Sequence, residues 1–198
     1  MAFDCAWYFT SLPEDLVNVL ENDITTFDET FESAVTLAGS NLKIRDSKTT
    51  WIPETHWISG ICYHYVLLAN RTNFRYDITG IDKGLLQYTS YSKGEYYGWH
   101  QDSGLPSLAT IGDDERENFL TTNSERIRKL SFILQLSDPD EYTGGEVQLM
   151  RADNSSYFLP KTRGTFAVFD SRVLHRVKKV HSGNRRSLVG WIVGPRWK

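Results

Sequence analysis

The 198-residue sequence predicts a mainly β fold with N-terminal helices, its strands closing into a sandwich or barrel. Three observations predict it. The first third carries apolar residues at helical spacing. From about residue 74, short runs rich in β-branched and aromatic residues alternate with turn signals. No helical pattern interrupts those runs, so the strands must pack on one another.

Taken in order, Ser11-Leu12-Pro13-Glu14 reads as a helix start. Ser11 would be the N-cap, Glu14 its capping-box partner, and Pro13 would sit in the first turn. Leu12, Leu16, Val17, Leu20, Ile24 and Phe27 follow with a period of three to four. A second helical pattern runs through Trp57, Ile58, Ile61, Cys62, Tyr65, Leu68 and Ala69, stopping near Asn70. Strands are expected near 74–79, 84–91, 95–102, 127–136, 145–150, 156–159, 165–170, 173–178 and 186–193. Turns are signalled at Thr79-Gly80, Lys93-Gly94, Thr143-Gly144-Gly145, Arg163-Gly164 and Ser182-Gly183-Asn184. A long polar segment, 103–126, holds the charge cluster Asp113 to Glu117. It reads either as a functional loop or as a solvated surface excursion. No linker or repeat divides the chain. One domain over 1–198 is therefore expected, with helical support to about 73 and a β core over 74–198.

Composition removes several classes. Aromatic residues make up 13% of the chain, too many for a disordered one. A net charge of −3 argues against a protein that coats nucleic acid or an anionic membrane. No apolar stretch approaches the roughly 18 residues of a transmembrane helix. The N-terminus lacks a basic region and carries Asp4 within its apolar run, unlike a signal peptide. Cys5 and Cys62 stand far apart and imply neither a disulfide framework nor a cysteine-based zinc site. A reducing cytoplasm is the expected setting. Nothing in the sequence sets the oligomeric state.

Of the five histidines, His56 and His64 lie in or beside the second helix among aromatic residues, and His181 lies in a loop. These read as packed or surface positions. His100 stands in Trp99-His100-Gln101-Asp102. On a strand, residues i and i+2 share a face, so His100 and Asp102 would project together. An imidazole beside a carboxylate supplies two ligands of a two-histidine, one-carboxylate facial site for non-haem Fe(II). His175, on a later predicted strand, can supply the third. His-x-Asp alone is a weak signal, since chance produces it often. Arg185 and Ser187 would also share a face, with Arg186 opposite. A guanidinium grips a carboxylate bidentately, and a hydroxyl adds one donor. A chelating 2-oxo diacid needs such a grip beside an Fe(II) site. The two arginines could equally flank the Gly-Asn turn as solvated charges.

The run Tyr91-x-x-Gly94-x-x-Tyr97-x-x-His100-x-Asp102 resembles the core signature of the 2-oxoglutarate/Fe(II)-dependent dioxygenases of the prolyl 4-hydroxylase type. Further pieces follow in the family's order: Arg128 to Phe132, Tyr142 to Val147, Phe169-Asp170-Ser171 leading to His175-Arg176-Val177, and Gly183 to Trp191. The resemblance covers roughly residues 84–194; each motif is loose, and their joint order is specific. It implies a double-stranded β-helix, or jelly roll. It implies that His100, Asp102 and His175 bind Fe(II). Arg185 would take the distal carboxylate of 2-oxoglutarate, with Ser187 helping and Tyr91 hydrogen-bonding the co-substrate. Tyr97 reads as structural. The implied reaction couples decarboxylation of 2-oxoglutarate, giving succinate and CO2, to hydroxylation by O2, with ascorbate as an accessory reductant.

A peptidyl proline is the implied substrate, with the 103–126 loop as a flap and Trp51, Trp99 and Arg45 as substrate-side residues. A free amino acid or a lysyl side chain are alternatives. Nucleic-acid demethylases of the superfamily match less well, because Trp191 stands where they usually carry a second arginine. A non-catalytic metal-binding jelly roll and a cupin-like enzyme that does not use 2-oxoglutarate complete the alternatives.

Overall fold

The computed structural model describes residues 7–30, 32–33, 45–103 and 126–197. In chain order its elements are β1 (Trp7–Ser11), α1 (Glu14–Ile24), β2 (Glu32–Ser33), β3 (Arg45–Asp46), β4 (Lys48–Pro53), α2 (Trp57–Ala69), β5 (Gly80–Ile81), β6 (Leu85–Tyr91), β7 (Tyr96–His100), β8 (Arg126–Gln135), β9 (Tyr142–Gly144), β10 (Val147–Met150), β11 (Ser156–Phe158), β12 (Thr165–Asp170), β13 (His175–Val177), β14 (Val180–Gly183) and β15 (Arg185–Pro195). The major sheet has the order β1-β12-β8-β15-β6-β4-β2, with β5 added to β15. The minor sheet runs β11-β10-β13-β7-β3, and β14 pairs with β9 in a separate ribbon. The paired strands are antiparallel, and the whole is a jelly roll, the double-stranded β-helix expected from the sequence.

The two-residue period of the strands divides the major sheet into two differently used faces. Leu86 and Tyr88 of β6, Leu130, Phe132 and Leu134 of β8, and Leu188 and Ile192 of β15 point to the helices. Each large side chain buried there contributes about 1.5–3 kcal/mol. The alternate residues, among them Gln87, Tyr91, Ser131, Ile133, Gln135, Arg185 and Ser187, are buried on the inner face toward the minor sheet. The helical layer is set by spacing. Val17, Leu20 and Ile24 of α1 and Ile58, Cys62, Val66 and Ala69 of α2 are fully buried, one stripe along each helix. No helix among the described residues is long and apolar enough to cross a membrane.

Three expectations change. The capping box at Ser11 does not form. Ser11 ends β1 opposite Thr165, the helix starts at Glu14, and the Glu14 carboxylate pairs with Arg163. The strand expected at 74–79 is absent. Asn70 binds both backbone groups of Tyr76 with its side-chain amide, at 2.9 and 2.8 Å, so that backbone needs no ladder. The region to residue 73 is not purely helical support. β1 and β4 pair with β12 and β6 in the major sheet, and β3 pairs with β7 in the minor one.

Candidate metal centre

His100 and His175 face each other as partners across β7 and β13. β7 ends at His100, so Asp102 is placed by a turn rather than by the strand. Its amide donates to the Ser171 carbonyl at 2.9 Å. The result is the juxtaposition expected from the i, i+2 spacing. Nε2 of His100 lies 3.6 Å from Asp102 Oδ1, and Nε2 of His175 lies 3.4 Å from Oδ2. The three ligand atoms fall within 4.8 Å of one another. Each ring is oriented through its other nitrogen: His100 Nδ1 meets the Gly98 carbonyl at 2.8 Å, and His175 Nδ1 meets that of Val173 at 2.9 Å. A carbonyl only accepts, so each Nδ1 carries the hydrogen. Each neutral ring then offers an Nε2 lone pair to a metal.

Burial holds the His100 imidazole down to about 3, and the neighbouring His175 adds to this, so His100 stays neutral. Burial opposes ionisation of Asp102, but the two histidines outweigh it and keep the carboxyl below its usual range. For His175 burial also disfavours the charge, and Asp102 outweighs it, raising the imidazole above its usual value. A divalent cation held here requires His175 neutral and Asp102 ionised.

A β-bulge builds the next layer. His175 pairs with His100 while Val177 pairs with Tyr97, so two residues on β7, Gly98 and Trp99, oppose one on β13, Arg176. The extra residue lies at Gly98-Trp99 and reverses the alternation. Tyr97 therefore shares the face of His100 and stacks on it, ring centres 3.5 Å apart. Sequence reasoning gave Tyr97 a merely structural place. The available signal was Gly98 inside a strand, a common mark of a bulge. Trp99 turns to the opposite face, where the Arg176 guanidinium lies 4.6 Å from its ring. The structure does not bring Trp99 to the site.

Arg185 is 1% exposed and adjoins the cavity through Tyr91, one of the lining residues. Its Nη2 donates to Gln135 Oε1 at 2.8 Å and its Nη1 to Ser187 Oγ at 3.2 Å. The Tyr91 ring centre lies 5.6 Å away, and Nε has no partner. Among the described residues no acidic side chain pairs with this guanidinium. A buried cation without a counter-charge can receive an anion. Gln135, missed in the sequence, fixes the fork, because its own amide donates to the Tyr142 hydroxyl at 2.7 Å. A glutamine in a strand carries no local mark of that duty. Arg45 also lines the cavity, donating to Ser47 and Gln87 at 2.9 Å each and lying 4.7 Å from the Tyr97 ring. Trp51 is 45% exposed and stands outside it, 6.3 Å from the lining residue Trp191. Apart from residues 103 and 126 themselves, the expected flap lies outside the described residues.

Two Nε2 lone pairs and a carboxylate in the cavity, with an unneutralised guanidinium against its Tyr91 wall, fit Fe(II) and 2-oxoglutarate. Fold and site together define a non-haem metal centre of the two-histidine, one-carboxylate class. Residues 86–193, more than half of the chain, match the family model of the 2OG-Fe(II) oxygenase superfamily. The chain belongs to that family. It is similar to a PKHD-type hydroxylase of Synechococcus elongatus, 36% identical over 108 residues, which cover 54% of this chain and 42% of the relative. A PKHD-type hydroxylase of Parvibaculum lavamentivorans is 33% identical over 102 residues, 52% of this chain and 38% of the relative. The chain thus spans about two fifths of the length of these relatives. Among solved structures, a Pseudomonas putida prolyl-4-hydroxylase superposes with a TM-score of 0.69 at 22% identity, covering 97% of this chain and 94% of that one. A Trichoplax adhaerens prolyl hydroxylase, solved with a hypoxia-inducible-factor peptide fragment, gives 0.72 at 16% identity, covering 94% and 83%. These two likenesses bear on the fold.

Proposed function

We propose that the protein is an Fe(II)- and 2-oxoglutarate-dependent oxygenase that hydroxylates a prolyl residue in a peptide or protein. One observation carries this reading: three metal-ligand atoms converge in a cavity whose wall includes Tyr91, and Tyr91 lies against a buried guanidinium that lacks a counter-charge among the described residues. Bound there, Fe(II) with 2-oxoglutarate and O2 supplies an oxidative decarboxylation that yields succinate, CO2 and a hydroxylated product. His100, Asp102 and His175 hold the metal. Arg185 and Ser187 take the distal carboxylate, Gln135 keeps the fork oriented, and Tyr91 lies against the same guanidinium. Ile133, Val189 and Trp191 line the cavity with apolar surface that excludes water.

The prolyl substrate is supported by the fold likeness to prolyl hydroxylases. Of the three substrate-side candidates, Arg45 is the one that lines the cavity. Helices and sheets act as one catalytic unit in this reading, in a cytoplasmic setting that suits the free Cys62 thiol. The test is succinate formation from 2-oxoglutarate with Fe(II) and ascorbate under air, with and without a proline-rich peptide pool, beside His100→Ala. Succinate that requires His100 and rises with peptide supports the whole reading. Succinate that requires His100 but ignores peptide keeps the oxygenase and rejects the prolyl substrate. Absence of both turnover and 2-oxoglutarate binding rejects the oxygenase.

A further inference from the structure

Between β12 and β13 the chain turns through Asp170, Ser171, Arg172 and Val173, closed by the Val173 amide on the Asp170 carbonyl at 2.9 Å. Three successive carbonyls of this turn are used by the metal centre. Ser171 accepts the Asp102 amide at 2.9 Å. Arg172 accepts the Gln101 side-chain amide at 2.6 Å. Val173 accepts His175 Nδ1 at 2.9 Å. One turn therefore aims two of the three ligands, while Gly98 aims His100.

The turn is itself held from behind. The Asp170 carboxylate accepts the Arg172 amide at 2.8 Å, its Nε at 2.9 Å and its Nη2 at 2.6 Å. It also accepts the Tyr76 hydroxyl at 2.6 Å. Those four bonds occupy the lone-pair sites of an ionised carboxylate. Trp197 closes the assembly: its ring lies 4.4 Å from the Arg172 guanidinium, 4.1 Å from Lys129 Nζ and 4.7 Å from the Tyr76 ring. Asp170, Tyr76, Arg172 and Trp197 are not among the residues lining the metal cavity.

We propose that Asp170, clamped between Tyr76 and Arg172, is a positioning residue that presets the Asp170–Val173 turn and through it aims Asp102 and His175 at the metal. This role rests on the metal-centre reading above. A ligating histidine is oriented by the acceptor on its second nitrogen, and loss of such outer partners lowers metal affinity by about 10–100-fold. Asp170 acts on that acceptor and on the Asp102 amide acceptor together.

The test is a Co(II) titration of the full chain, followed by visible absorption, which reports ligand geometry as well as occupancy. Asp170→Asn is expected to bind Co(II) about 10–100-fold more weakly with an altered absorption envelope. Tyr76→Phe, which removes one hydroxyl, is expected to shift both in the same direction by less. Far-UV circular dichroism checks folding; if Asp170→Asn does not fold, Tyr76→Phe decides. Wild-type affinity and spectrum in the folded variants would overturn the positioning role alone. A wild-type chain that binds Co(II) no better than His100→Ala would overturn the metal-centre reading and this role with it.

Discussion

Replacing Arg185 with methionine separates what its charge does for the fold from what it does for the co-substrate. Methionine keeps the apolar stem and removes the guanidinium. In the ligand-free protein the change leaves Gln135 Oε1 and Ser187 Oγ without their donors, at about 1–3 kcal/mol each. It also relieves the desolvation of a cation only 1% exposed, several kcal/mol in the opposite direction. The two effects are of similar size, so the ligand-free thermal midpoint should move by no more than about 5 °C. Binding of 2-oxoglutarate behaves otherwise. Two charge-assisted hydrogen bonds to a carboxylate contribute about 1.5–3 kcal/mol each. Their joint loss weakens binding by about 10²- to 10⁴-fold. Scanning fluorimetry with Mn(II) and rising 2-oxoglutarate reads both quantities. At a hundredfold excess over its Kd the ligand stabilises the wild type by about 2.7 kcal/mol, and the variant should show no more than about 0.4 kcal/mol at the same concentration. Wild-type stabilisation of the variant by 2-oxoglutarate would refute the assignment. A ligand-free midpoint lowered by far more than 5 °C would show that the cation serves the fold instead.

Further outcomes follow from other sites. Burial opposes ionisation of Asp170, but Arg172 and Tyr76 outweigh it, so its carboxyl titrates below the usual range when folded. The unfolded chain then takes up this proton first as pH falls. The stabilisation is whole above about pH 4 and is lost as pH drops through the folded value; Asp170→Asn should flatten the acid limb of the midpoint against pH. At Gly190 a Cβ would stand 2.3 Å from a Phe132 ring carbon and 2.7 Å from Leu86. Gly190→Ala should therefore cost about 1–3 kcal/mol, read as a lower urea midpoint with an unchanged m value. Cys62 is fully buried, which pushes its thiol well above the usual range. Peptide mapping after treatment with a thiol reagent should find it unmodified until the chain unfolds; labelling at the rate of a free thiol would mean that α2 is loosely docked.

Legibility from sequence followed the range over which each signal acts. The long strands β6, β8, β12 and β15 carry enough alternation to be placed within a residue or two. α2 was legible because its apolar stripe is continuous from Trp57 to Ala69. β1 and β4 escaped notice because what makes them strands is β12 and β6, far along the chain. Ser11 illustrates the conflict: a capping signal was present, and sheet pairing with Thr165 took the residue instead. At the site, His100, Asp102, His175 and Arg185 could be singled out because histidines are few and the four residues fall in the order of a family's motifs. Tyr97 and Trp99 were exchanged in role because strict alternation does not foresee the bulge at Gly98. Phe169-Asp170-Ser171 was quoted as a motif, but the use of three backbone carbonyls from Ser171 to Val173 leaves no trace in side-chain identity.

β15 lies between β8 and β6 in the middle of the major sheet, yet it is made after both. During synthesis on the ribosome, those two strands must wait with unsealed edges, each a template for pairing with a foreign strand. Closing the sheet joins segments far apart in sequence, a slow kind of assembly. The strand that ends this exposed interval also delivers Arg185. A nascent chain therefore passes through a stage with two unsealed edges before it owns Arg185, and a folding helper that shields the edges of β6 and β8 waits for residues 185–195.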